Sequence, residues 1–186
     1  MSPYERDCQI LEWTNTNRIK VFDNLLVGIT DTAYMVALLI GLLVLISGFM
    51  KKDTLLRRKG WEVLGALLAN SVIVNVLKYT INRERPFVQD KLIEKLSTGG
   101  SPSFPSGHTA DAFVVATSMS LLFYPKWQLL VPIWLWAIAI AYSRIVLGVH
   151  YPSDVLGSMI IGSMIAVIIN FLIKNRKTDK DMILIE

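Results

Sequence analysis

Five apolar runs of membrane-crossing length alternate with short polar or charged junctions along the chain. About 20 helical residues cover the hydrocarbon thickness of a bilayer, so each run predicts a spanning helix. The first covers residues 32–50, 19 positions without a charge, with Asp31 placed as its N-cap. The second runs from about 61 to 82 and is stopped by Pro86. The third covers 107–124 and ends at Pro125, and the fourth covers 127–143 with Trp127, Trp134 and Trp136 as interface anchors and packing groups. The fifth runs from Pro152, a favourable first helical position, to about 173. Ahead of these, residues 4–13 mix Tyr4, Cys8, Ile10, Leu11 and Trp13 with charged neighbours, the pattern of a helix lying in the interface plane. Residues 18–29 read as a second such segment, and the polar connection 87–105 predicts a short surface helix over 90–96.

Composition agrees with a membrane protein: 53% of residues are hydrophobic, 18% are charged, and the mean hydropathy is +0.46. The fold expected is an all-α bundle of about five spans plus the N-terminal amphipathic helix. It forms one domain over 1–186, with 1–30 interfacial and 174–186 a basic cytoplasmic tail. The net charge of +4 is clustered at junctions rather than spread over a face with interleaved aromatics, which excludes nucleic acid as a partner. A single cysteine, Cys8, excludes an intramolecular disulfide and a multi-cysteine metal site. Glu5, Asp7 and Glu12 interrupt the first 20 residues, so the reading has no cleavable signal peptide and the spans themselves direct insertion.

Charge also sets the orientation. Lys51, Lys52, Arg57, Arg58 and Lys59 follow the first span, and Lys174, Arg176, Lys177 and Lys180 follow the fifth, whereas the third connection has Lys126 alone. Basic loops stay in the cytoplasm, so the N-terminus and the connections at 83–107 and 144–152 belong outside. Both histidines of the chain, His108 and His150, lie at those outer helix mouths.

Ser71, Asn75, Lys78, Asn82 and Arg85 follow one another at helical spacing and predict a polar stripe turned inward toward the outer mouth. Snorkelling of Lys78 and Arg85 to lipid phosphates is the plainer account of the two cations. Arg144 adds a third cation at the same membrane face, and Ser106 and Gly107 open a helix whose free N–H groups favour an anion. Phosphate suits such a donor set, with Arg supplying paired contacts and Lys a point charge. Asp154 follows His150 by four residues, within reach of an imidazole N–H, which leaves the other ring nitrogen as base or nucleophile. His108 is placed to protonate a leaving oxygen, and Asp111, on the same helical face, is expected to keep it protonated. A metal held by two His and an Asp is the competing account, against which three nearby cations would repel a divalent ion.

Together, Lys78 with Arg85-Pro86, then Pro105-Ser106-Gly107-His108, then Ser143-Arg144 with His150 and Asp154 resemble the three-part signature of the type 2 phosphatidic acid phosphatase superfamily. The resemblance covers about residues 60–170. It implies that His150 forms a phosphohistidine, that Asp154 orients it, and that His108 is the general acid. It further implies that Lys78, Arg85, Ser106, Gly107 and Arg144 bind phosphate, and that no metal or other cofactor is needed. The superfamily includes soluble vanadium haloperoxidases, and five spans favour the lipid phosphatase branch. The expected protein is thus a small bacterial enzyme of the inner (plasma) membrane with its site facing the periplasm or outside. Its substrate would be lipid A 1-phosphate, undecaprenyl diphosphate or phosphatidylglycerophosphate. A catalytically silent lipid-binding scaffold is the alternative.

Overall fold

The computed structural model describes residues 2–183, with side chains as far as Lys174. Seven α-helices follow in chain order: α1 (Pro3–Thr16), α2 (Asp23–Met50), α3 (Thr54–Ile81), α4 (Pro86–Gln89), α5 (Gly107–Phe123), α6 (Trp127–Val146) and α7 (Pro152–Ile183). A single 3₁₀ turn, Lys20–Phe22, leads from α1 into α2. Ser2 and Glu5 close a capping box at the start of α1, and the Asp53 side chain caps α3 by accepting from the Leu56 N–H at 3.0 Å.

Four stretches, Lys20–Met50, Thr54–Gln89, Trp127–Val146 and Pro152–Lys174, are long and apolar enough to cross a membrane. The fifth expected span is α5, which at 17 residues is shorter but sits at the centre, in contact with α2, α3, α6 and α7. Small residues let the neighbours close on it. Ala112 and Ala116 of α5 pack with Ala33 of α2, Ala137 and Ala141 of α6 and Val155 of α7 in one buried cluster. On α7 the stripe Asp154, Ser158, Gly162 and Ala166 is buried, and Gly162 lies so close to the Ala110 carbonyl of α5 that no Cβ fits between them.

Several boundaries differ from the sequence reading. Residues 23–29 are not a separate interfacial segment but the first turns of α2, which puts Asp31 inside that helix rather than at its cap. No helix forms over 90–96: α4 takes residues 86–89 instead, because Pro86 opens a new helical turn and Asp90 leaves it in an extended conformation. Helix α7 runs through Ile183, so the expected tail begins as helix, and its side chains beyond Lys174 lie outside those described. The expected stripe on α3 also shifts. Ser71, Asn75 and Asn82 are exposed, and the buried line is Val63, Ala66, Asn70, Val74 and Lys78, so Lys78 alone belongs to both. Asn75 meets its own need by donating to the Ser71 carbonyl at 2.8 Å, which explains why the outer face of a spanning helix tolerates it.

Candidate active site

The ends of α3, α5 and α6, the turn before α7 and the loop before α5 meet around a cavity of about 200 Å³. Lys78, Arg85, Gly107, His108, Arg144 and His150 line it, so six of the eight residues singled out in the sequence converge there. Tyr34 from α2 and residues Thr98 to Ser101 complete the wall.

The three cations are buried, and each is aimed by neutral oxygens of one loop. Lys78 Nζ donates to the Pro102 carbonyl at 2.7 Å, Arg85 Nε to the Ser101 carbonyl at 2.8 Å, and Arg144 Nη2 to the Thr98 carbonyl at 3.2 Å. Arg144 Nη1 also donates to the Thr30 hydroxyl at 2.9 Å and the Ser97 hydroxyl at 3.1 Å. Among the described residues none of these cations is paired with a carboxylate. Removing a charge from water costs several kcal/mol, so three such charges around one cavity give it an electrostatic character that suits an anion.

His150 lies in the turn between α6 and α7 and is 1% exposed. The turn is tight because Gly148 adopts φ +70°, and a side chain there would strike the Glu94 carbonyl. Arg85 Nη1 approaches His150 Nε2 at 3.3 Å while donating to the Val149 carbonyl at 2.9 Å. A guanidinium donates only, so Nε2 holds the lone pair and the ring proton sits on Nδ1, facing Asp154 Oδ2 at 3.6 Å. That separation is longer than a hydrogen bond, and Nδ1 has no hydrogen-bond partner among the described residues. Burial pushes the His150 pKa down to about 3; Asp154 opposes this, and the charges of Arg85 and Arg144 add to it.

Asp154 does not reach the cavity. It stands behind His150, fully buried, with Arg83 Nη1 on Oδ1 at 2.5 Å and the Ser103 hydroxyl and the Tyr151 N–H on Oδ2. Ser106 is likewise buried behind the wall. Its hydroxyl accepts from Thr109 at the start of α5, and its backbone N–H donates to the Ser158 hydroxyl at 2.6 Å. Gly107 does line the cavity, with the Tyr34 hydroxyl beside it, and the Tyr34 ring lies 4.4 Å from that of His108. Asp111 pairs not with His108 but with Asn70 of α3, whose amide donates to it at 2.7 Å. One helical turn of α5 separates it from the cavity mouth, and the buried Asn70 offers a nearer polar partner.

Arg83, Ser103, Tyr34, Thr30 and Asp7 were not singled out by the sequence. Arg83 lies within the charged Arg83-Glu84-Arg85 stretch, which was a usable signal. Asp7 gave none, because its partners are 76 and 146 residues away.

The PAP2 superfamily model matches residues 59–178, and the chain belongs to that superfamily. The undecaprenyl-diphosphatase BcrC of Bacillus subtilis is 32% identical over 152 residues, covering 82% of this chain and 73% of its own length. A lipid A 4'-phosphatase of Bacteroides thetaiotaomicron is 40% identical over 81 residues, which cover 44% of this chain and only 36% of that protein. In three dimensions the chain resembles Aquifex aeolicus LpxE, with TM-score 0.73, 28% identity, and coverage of 87% of this chain and 92% of that one. It also resembles a transmembrane PAP2-type phosphatidylglycerolphosphate phosphatase from Bacillus subtilis, with TM-score 0.76, 25% identity, and coverage of 95% and 86%. The chain is a membrane protein of this superfamily.

Proposed function

We propose that the protein is a lipid phosphate phosphatase that works through a phosphohistidine. The observation that carries this reading is the set of three buried cations, none paired with a carboxylate among the described residues, around a histidine whose Nε2 carries the ring lone pair beside Arg85 at the cavity. His150 Nε2 attacks phosphorus, a P–N bond forms and the P–O bond to the lipid breaks, while His108 gives its proton to the departing oxygen. Water then attacks the phosphohistidine with His108 as base, releasing inorganic phosphate and restoring His150. Lys78, Arg85 and Arg144, with the N–H of Gly107, hold the phosphoryl oxygens as charge redistributes. Asp154 stabilises the imidazolium that forms at His150, and Ser106 fixes the first turn of α5 on which Gly107 and His108 ride.

The names of the relatives support lipid A phosphate, undecaprenyl diphosphate and phosphatidylglycerophosphate as the substrates to try. The bacterial sources of these relatives support a bacterial plasma membrane location, and charge distribution supports placing the cavity on the outer side. Purified protein in detergent should release phosphate from at least one of these lipids and carry an acid-labile phosphate on His150 during turnover. Turnover should survive chelators, and vanadate should inhibit by occupying the cavity. Protein that is folded yet releases phosphate from none of them, or from phosphatidate, would leave the silent scaffold as the better account.

A further inference from the structure

Helix α1 carries buried polar groups that the mechanism leaves unused. One stripe of that helix, Asp7, Leu11 and Asn15, is buried against the turn that carries His150, while Ile10 and Trp13 on other faces are exposed. Asn15 donates to the Val146 carbonyl at 2.8 Å and to the Glu94 carbonyl at 3.1 Å, holding the near end of the turn. Leu11 packs with Tyr151 and Ile93 at its middle. Asp7 takes the far end, where its carboxylate accepts from the Ser153 N–H at 2.8 Å and from Arg83 Nη2 at 2.7 Å.

Arg83 is therefore strung between two carboxylates: Nη2 on Asp7, and Nη1 on Asp154 Oδ1, with its guanidinium 4.0 Å over the Tyr151 ring. The guanidinium is planar and rigid, so the place of one carboxylate limits the place of the other. The oxygen of Asp154 that faces His150 is the one Arg83 does not hold.

We propose that Asp7 is a positioning residue for the reaction: by anchoring Arg83 from α1, it keeps Asp154 turned so that Oδ2 faces His150 Nδ1. Without the Asp7 charge, Arg83 swings fully onto Asp154 and draws that carboxylate off the imidazole. The imidazolium formed on phosphorylation then loses its counter-charge. Binding of phosphate is untouched, since none of Asp7, Arg83 and Asp154 lines the cavity. This inference rests on His150 being the nucleophile proposed above.

The test uses the full-length protein in detergent, with Asp7→Asn, which keeps shape and hydrogen-bonding reach, and Asp7→Glu, which keeps charge. Asp7→Asn should lower kcat on the lipid about tenfold, with the inhibition constant of inorganic phosphate within twofold of wild type and the melting temperature unchanged. Asp7→Glu should recover part of the rate. In an Asp154→Asn background, Asp7→Asn should cost nothing further, because the group it acts through is gone. Undiminished kcat in Asp7→Asn, an equal fractional loss in the Asp154→Asn background, or a loss matched by a lower melting temperature would each overturn the proposal. The phosphoenzyme separates this outcome from failure of the mechanism: wild type turning over without phosphate on His150 overturns both, whereas phosphohistidine forming equally fast in Asp7→Asn overturns only the role of Asp7.

Discussion

Within the proposed mechanism, a histidine that attacks phosphorus must arrive unprotonated, and burial beside two arginines keeps His150 so. Its pKa is lowered to about 3 from the ordinary value near 6.5. The sign of the linked stability effect follows. Above about pH 6.5 both folded and unfolded chains hold a neutral imidazole; below it only the unfolded chain takes up the proton, so stability falls as pH drops toward the folded pKa. The slope reaches up to about 1.4 kcal/mol per pH unit. His150→Gln should therefore lose less melting temperature than wild type between pH 7 and pH 4, and identical slopes would mean that His150 titrates near its ordinary value. For His108 the prediction turns on the leaving group. His108→Ala should lose much more activity on a lipid alkyl phosphate than on an aryl phosphate, whose phenolate departs without a proton, provided phosphoenzyme formation limits both rates. His150→Ala should lose nearly all activity on both, and comparable losses for His108→Ala would leave His108 a binding or structural group. At this scale the four-residue spacing did bring Asp154 behind His150, but at 3.6 Å, longer than the hydrogen bond that the spacing suggests. The sequence was silent where a side chain is chosen by a partner from another helix. Asp111 shows this: helical geometry put it on the face of His108, and Asn70 of α3 took it instead.

Among the helices, what could be read in advance was decided by how strongly one period dominates. The long apolar runs gave the spanning helices to within a few residues at most ends. The starts of α2 and α3 were missed, because polar residues continue a helix beyond the hydrocarbon wherever a cap or a neighbour supports them, as Asp53 does for α3. The polar stripe of α3 was set too far round the helix, since Asn75 can satisfy itself and so has no need to face inward. The small-residue stripe of α7 meets α5, because an interface between apolar helices is distinguished from a lipid face mainly by close approach. Gly162 is the point of closest approach to Ala110. Gly162→Leu should force α5 and α7 apart at a cost of about 1–3 kcal/mol or more, lowering melting temperature and activity together, because α5 carries His108 and α7 carries Asp154. A stable, fully active Gly162→Leu protein would mean that the helices separate there without moving the site.

Taken as a whole, the molecule has two unlike ends. At one, α1, the loops before α5 and α7, and the cavity gather; at the other, the α2–α3 and α5–α6 junctions bring Lys51, Lys52, Arg58, Lys59 and Lys126 together. Lys59 even reaches across to the Leu122 carbonyl near the end of α5, tying the two junctions. Basic residues near short loops are retained on the cytoplasmic side, so the cavity end should face outward, where its substrate would be a lipid of the outer leaflet. The single thiol, Cys8, is a poor reporter because on α1 it is half-buried against the cluster of Leu11, Ile93 and Tyr151. A better pair is Cys8→Ser combined with Glu12→Cys, an exposed site on the same helix, and Cys8→Ser combined with Lys51→Cys at the opposite end. In intact cells, or in spheroplasts of a host with an outer membrane, an impermeant maleimide should label the first and spare the second until the membrane is opened. The reverse pattern would put the cavity in the cytoplasm and its substrate in the inner leaflet, while leaving the chemistry at His150 unchanged.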